Sequence, residues 1–430
     1  MGADVLVIGA GYGGLTAAAV LAHNGVEVEV LEATGHLGGR AAFDRKDGFL
    51  VDYGIHLNRF AGEGAAAAAL REIGHEIDFV SMGKPQLFRE GDFVPLPSGV
   101  PQLLTVSFFS LSDKLVMVGD MLRLVLANPE KKADVPLDKA SWGMGRPEVS
   151  SMFKVLSGLG LVSPDLSITS TGDFATFLKK ALRAKESAGY PRGGTSQIIE
   201  ALSKKIESSG KISLNSRAKS FEVKGGKITG VNVREETLPC KAVVLAVPLQ
   251  KLGELAGDVL PANFIERCDS IVPTAGISFD LCLTEKVSDI DGPIVTAEPF
   301  MTMGQFTSNF DPGTAPDGKQ LATFYYILPV DMMDDHDAVD AEEKRFRELI
   351  AKMFPGIWDR VEWERALKLK MVDGIEPRVG QTAKDRPGVR APGVDNLFLA
   401  GDTVSTSGSG GDVAFNSGVE AARRVMGFLR

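Results

Sequence analysis

Cysteine, histidine and tryptophan are scarce in this chain. Cys240, Cys268 and Cys282 lie far apart and form no Cys-x-x-Cys pair, so they read as buried thiols of a reducing compartment, not as a disulfide framework. Five histidines include no pair at metal-ligand spacing, and no bound metal is expected. Positive charge is short as well: 56 acidic against 47 basic side chains give a net charge of −9, with no basic block. Nucleic acid is therefore a poor partner candidate, and no polybasic patch attracts anionic lipid. The longest uncharged stretch, Phe93 to Ser112, contains Pro95, Pro97, Gly99 and Pro101, which excludes an ordinary membrane-spanning helix. The chain opens directly in a strand pattern, without a charged n-region or cleavage site. That predicts a cytoplasmic protein, at most in peripheral contact with the inner face of a membrane.

Apolar residues make up 44% of the 430 positions, enough for a large core and two or three domains. The most informative segment comes first. Asp4 to Ile8 reads as a buried strand, Gly9-Ala10-Gly11-Tyr12-Gly13-Gly14 opens a helix, and a second strand runs from Val28 to Glu32. A glycine-rich turn alone arises by chance, but strand, G-x-G-x-x-G, helix and a spaced carboxylate together predict a dinucleotide site. Gly9 suits the tight turn, Gly11 lets backbone approach a diphosphate, and Gly14 lets helix and strand pack closely. The helix N-terminus then offers free N–H groups to the phosphates. Glu32 is placed to accept hydrogen bonds from a ribose 2′-OH and would repel a 2′-phosphate, which argues against NADP.

Further along, residues 86 to 96 alternate in polarity around Gly91-Asp92, a hairpin signal. From about 100 to 187 the pattern is helical, with an amphipathic stripe through Leu115, Val118, Met121, Leu122, Val125 and Leu126. Short strands are predicted at 212–214, 219–223, 228–233 and 242–246, longer ones at 273–284, 301–308 and 320–328. A charged helix follows over 338–353, then a strand at 396–400 and a closing helix over 413–429. No internal repeat is visible.

The tract Glu32 to Arg40, ending Gly38-Gly39-Arg40, resembles the second diphosphate-contacting loop of FAD-dependent amine oxidases and phytoene-desaturase-like enzymes. Taken alone, a surface turn followed by a solvated arginine fits it equally well. Asn396 to Asp402, then Gly408-Ser409-Gly410-Gly411-Asp412 and the helix from Val413, resemble the closing motif of the same superfamily. Tyr190-Pro191-Arg192-Gly193-Gly194 is similar to its Tyr-Pro-x-Gly-Gly segment. The resemblance implies an α/β fold: a Rossmann-like FAD-binding domain, discontinuous over 1–80, 189–270 and 385–430. An α+β substrate domain of mixed sheet plus helices is inserted as 81–188 and 271–384. It also implies FAD as cofactor, held by Gly9, Gly11, Gly13, Gly14, Glu32, Gly38, Gly39 and Arg40, with the arginine neutralising the diphosphate. Gly54 would permit close approach to the flavin, and backbone near Ala218 would read the adenine edge. Gly401 and Asp402 would meet the ribityl chain or diphosphate. The helix begun by Gly411, Asp412 and Val413 would point its N-terminus at the flavin pyrimidine.

The chemistry implied is hydride transfer from a C–C bond of an apolar, isoprenoid or other lipid-like substrate to flavin N5, with a base removing the adjacent proton. His56 and Asp412 are the candidate catalytic groups. His56 could instead only donate to a backbone carbonyl, and Asp412 could serve as a helix N-cap. Asp52 is expected to anchor its own loop. The apolar helical insert could be core or substrate tunnel, and Leu103 to Phe109 with the helix to Leu126 is the candidate membrane contact, internal packing being slightly favoured. Alternatives are a flavin amine oxidase, disfavoured by few tyrosines and tryptophans, a redox-neutral flavin isomerase, and an escort protein for prenylated partners. The electron acceptor and oligomeric state stay open.

Overall fold

Short apolar strands that pair in parallel must be covered on both faces, and five such runs form the first sheet. In the computed structural model, which describes residues 3–97 and 99–430, their order is Lys211–Ser213, Val28–Leu31, Val5–Ile8, Ala242–Leu245 and Leu397–Leu399. Every pairing is parallel. Val5, Val7, Val30, Val243 and Leu397 are fully buried. Helix Tyr12–His23 is buried from Gly13 to Ala22, because it packs between helices Thr195–Glu207 and Gly411–Leu429. All five strands fall within 1–80, 189–270 and 385–430.

The second sheet has seven strands in the order Val361–Leu369, Ala275–Leu283, Gln320–Leu328, Thr302–Phe306, Ile294–Thr296, Gln86–Arg89, Asp92–Pro95. It is mixed: Ile294–Thr296 pairs in parallel with Gln86–Arg89, and the other neighbours are antiparallel. Ala275–Leu283 is buried at every position, with helix His336–Met353 contributing Phe346, Leu349 and Ile350 to the same core. The hairpin turns at Glu90 and Gly91, both with positive φ, as the I′ geometry of a two-residue loop requires. All seven strands come from 81–188 and 271–384.

Helices between residues 100 and 181 cover the hairpin end of this sheet around Phe153, Leu137 and Phe174. Here one expectation holds only in part, since Val118 and Met121 of the predicted stripe pack against this core. Helix Leu111–Leu126 buries Met117, Asp120 and Leu124, while Leu115 and Leu122 of the predicted stripe are exposed. The reason is polar: the Asp120 carboxylate accepts from Ser141 Oγ and from the N–H groups of Trp142 and Gly143, which turns that face inward. The three cysteines are free thiols, with Cys268 and Cys282 buried. Among the described residues no helix is long and apolar enough to cross a membrane.

Candidate functional site

The first strand ends at a turn that only glycine can make. Gly9 has φ +101, and a Cβ there would stand 2.5 Å from the Ala246 carbonyl oxygen. A Cβ on Gly14 would meet Gly9 O at 2.0 Å, and one on Gly13 would meet Gly401 N at 2.7 Å. Gly11 differs: its nearest neighbour would be Gly38 O at 4.0 Å, so open space lies over it. Gly11 is the N-cap of helix Tyr12–His23 and provides no side-chain cap, which leaves first-turn N–H groups free to bind an anion.

A cavity of about 790 Å³ runs past this helix end. Of the predicted cofactor residues, Gly9, Gly11, Gly13, Glu32, Gly38, Gly39, Arg40, Ala218, Gly401, Asp402 and Gly411 line it. Gly14 and Val413 do not; Gly14 is pressed against Gly9, and Val413 is fully buried. Glu32 accepts from Ala10 N at 2.9 Å and from Thr34 N and Oγ1 at 2.8 Å, so it clamps the glycine turn to the second strand. Arg40 donates both Nη atoms to Asp402 at 2.7 Å. Burial pushes the Asp402 carboxyl up, but Arg40 and the Gly374 N–H outweigh it and hold it below the usual range.

Beyond Arg40 a second cavity, of about 310 Å³, shares Tyr12, Arg40, His56, Asp373 and Gly411 with the first. Gly54 and Asp412 line it, and Val162, Met303, Leu367, Leu369 and Phe415 give it apolar walls. Helix Gly411–Leu429 starts at this junction with Gly410 as N-cap. Asp412 is thus the second residue of the helix, not its cap as expected, and its side chain makes no capping bond. Burial holds its carboxyl above the usual range, against the pull of Arg59. His56 Nε2 lies 3.0 Å from Tyr53 O, the carbonyl contact anticipated for it, while its ring still lines both cavities. Asp52 is an anchor: Tyr190 OH donates to it at 2.8 Å, and Thr195 through N and Oγ1 at 3.1 and 2.8 Å.

The sequence reading missed Tyr12 and Asp373. Tyr12 stacks on Phe415 with ring centroids 4.5 Å apart, and its hydroxyl is buried without a partner. Asp373 borders both cavities, and burial raises its carboxyl. The only signal for it was the Asp373-Gly374 pair after an alternating Leu-Lys-Leu-Lys-Met-Val stretch. An open cradle at a helix N-terminus, an orphaned hydroxyl at the junction, and a second apolar cavity suit FAD: the long cavity would take the adenosine diphosphate and the second the ring.

A family model described as flavin containing amine oxidoreductase matches residues 12–426. Hydroxysqualene dehydroxylase of Rhodopseudomonas palustris is 40% identical over 100 residues, covering 23% of this chain and 23% of that protein. Carotenoid 3,4-desaturase of Haloarcula japonica is 51% identical over 53 residues, covering 12% of this chain and 11% of that protein. The chain thus matches less than a quarter of the length of either relative. An oxidoreductase structure from Methanosarcina mazei superposes with a TM-score of 0.81 at 20% identity, covering 97% of this chain and 99% of that one; the likeness is one of fold.

Proposed function

The chain belongs to the flavin containing amine oxidoreductases, with FAD as its cofactor, and from that premise we propose that it oxidises a C–C bond of an apolar, isoprenoid or other lipid-like substrate. The observation that carries this reading is the ring cavity, where Val162, Met303, Leu367, Leu369 and Met371 form apolar wall beside a few half-buried proton acceptors. Bound FAD supplies the hydride acceptor, N5. The side chains then have three tasks. The apolar wall excludes water and holds the substrate chain. The open helix start at Gly411 favours negative charge facing it. His56, Asp412 or Asp373 takes the proton adjacent to the departing hydride, and burial of both carboxyls makes them stronger bases than exposed ones.

Amine oxidation is the second reading. Tyr53 and Tyr325 line the cavity, as an amine-flanking pair would, but among the described residues no lysine does. Product mass separates the alternatives. Desaturation gives a product lighter by two hydrogens, isomerisation leaves the mass unchanged, and amine oxidation releases an aldehyde or imine.

A lipid-dissolved substrate needs a route from the bilayer, and we propose peripheral contact through helix Leu111–Leu126. Leu111, Leu115, Leu122 and Leu126 are 72%, 65%, 58% and 83% exposed, and Trp142 beside them is 69% exposed. Arg123 stacks over the Trp142 ring, an apolar face edged by cations. Phe109 is only 4% exposed and belongs to the core.

A further inference from the structure

We propose that a half-open chamber beside the ring cavity receives the carboxylate end of an amphipathic substrate whose apolar chain lies in the ring cavity. The chamber has a volume of about 200 Å³ and shares Arg59 and Asp412 with the ring cavity, so the two adjoin. Arg386, Ser409, Asp173 and the exposed Lys180 also line it.

Arg386 is the unusual member. It is 8% exposed, yet among the described residues it forms no ion pair within 4.0 Å. Its one hydrogen bond runs from Nη2 to Thr406 O at 3.3 Å, and its Nε is buried with no partner. A guanidinium has five N–H donors and stays charged, so leaving most of them unused in the interior is costly unless something else accepts them. Ser409 supplies a second buried group without a partner in the same chamber, its hydroxyl, on a residue also 8% exposed. Arg59 is already committed, donating to the Gly160 and Ser409 carbonyls at 2.9 and 3.0 Å.

The unused donors of Arg386 select the ligand. Arg59, Lys180 and Arg386 line the chamber with Asp173 and Asp412, and Asp385 and Asp402 also act on Arg386. None of these carboxylates takes up its free N–H groups, and a planar guanidinium accommodates a carboxylate in two parallel bonds. Leu161, Phe177 and Ile375 form the apolar part of the wall, suited to the carbons next to such a group. Substrate class is thereby narrowed from a hydrocarbon to an apolar acid. The inference rests on reading the adjoining cavity as the site of the flavin ring.

The test is calorimetric titration of flavin-loaded protein with decanoate, decan-1-ol and decylamine, all below their aggregation concentrations, with flavin content measured on the same sample. Decanoate should bind roughly ten- to a hundredfold tighter than decan-1-ol, the range of a charge-assisted hydrogen bond. Arg386→Gln should erase that preference while decan-1-ol binding persists. Asp173→Asn should act in the opposite sense and tighten decanoate severalfold, since it removes a competing carboxylate; a variant that merely damaged the fold would not gain affinity. Equal binding of decanoate and decan-1-ol overturns the proposal, as does tightest binding of decylamine or an undiminished preference in Arg386→Gln. A decanoate preference in protein that cannot be loaded with flavin would uphold the anion chamber and refute the flavin reading instead.

Discussion

Replacing Gly11 with alanine separates cofactor binding from folding. Gly11 has φ −76 and ψ 178, which any residue adopts, and the added Cβ would meet nothing nearer than Gly38 O at 4.0 Å. The apoprotein should therefore change in stability by no more than about 1 kcal/mol, and in the stabilising direction if at all. The same methyl group would fill the space facing the free N–H groups of the first helix. Loss of one charge-assisted hydrogen bond to a phosphate oxygen costs about 1.5–3 kcal/mol, or roughly ten- to a hundredfold in FAD affinity. Gly14→Ala is the contrasting control. Its Cβ would stand 2.0 Å from Gly9 O and 3.0 Å from Ala246 Cβ, and overpacking of this kind costs about 1–3 kcal/mol before any cofactor is added. FAD affinity is read from quenching of flavin fluorescence, and stability from thermal unfolding of the apoproteins. The reasoning is refuted if Gly11→Ala binds FAD within threefold of the unmodified protein, or if its apoprotein unfolds as early as that of Gly14→Ala.

Burial lifts the Asp173 carboxyl from 3.8 to about 6, so the folded protein holds this proton more firmly than the unfolded chain. Its contribution to stability is present below about pH 4 and is lost as pH rises to about 6, a cost of about 3 kcal/mol above that. Denaturant unfolding should find Asp173→Asn more stable than the parent near pH 8 and equal to it near pH 4; a pH-independent difference contradicts the assignment. Whichever of His56, Asp412 and Asp373 accepts the substrate proton should, on conversion to Gln or Asn, slow anaerobic flavin reduction about 10²- to 10⁴-fold with flavin retained. Effects below tenfold at all three would send the proton elsewhere. Leu115→Glu together with Leu122→Glu should abolish co-sedimentation with neutral phospholipid vesicles, each buried leucine contributing about 1.5–3 kcal/mol; unchanged sedimentation rules out this face.

Much of the parallel sheet and its cradle was legible because both obey local rules. The apolar run Val5–Ile8, the helix after Gly11 and the carboxylate of Glu32 sit at fixed spacing, and the structure brings Gly9, Arg40, Ala218 and Asp402 to one cavity from four distant segments. Strand Val361–Leu369 was passed over because Glu362, Glu364, Arg365 and Lys368 look like a charged surface run. Yet burial alternates strictly along it, and Arg365 turns inward to the fully buried Asp280 at 2.8 Å. The outward stripe of helix Leu111–Leu126 was misjudged because periodicity gives the apolar face but not what covers it. Three donors converging on Asp120 from a different segment decide the orientation, and no window of sequence around Asp120 contains them all. Arg386, likewise, becomes conspicuous only once its lack of a partner is seen.

The most direct test of the central claim is the visible spectrum of the purified protein, repeated without oxygen after adding a lipid extract from its own source. An FAD-dependent oxidoreductase of lipophilic substrates should show flavin bands near one equivalent per chain, bleached by an apolar or fatty-acid fraction. A colourless protein that cannot be reconstituted with FAD would contradict the account. Flavin bleached only by a polar amine fraction would refute the proposed substrate class and establish amine oxidation instead.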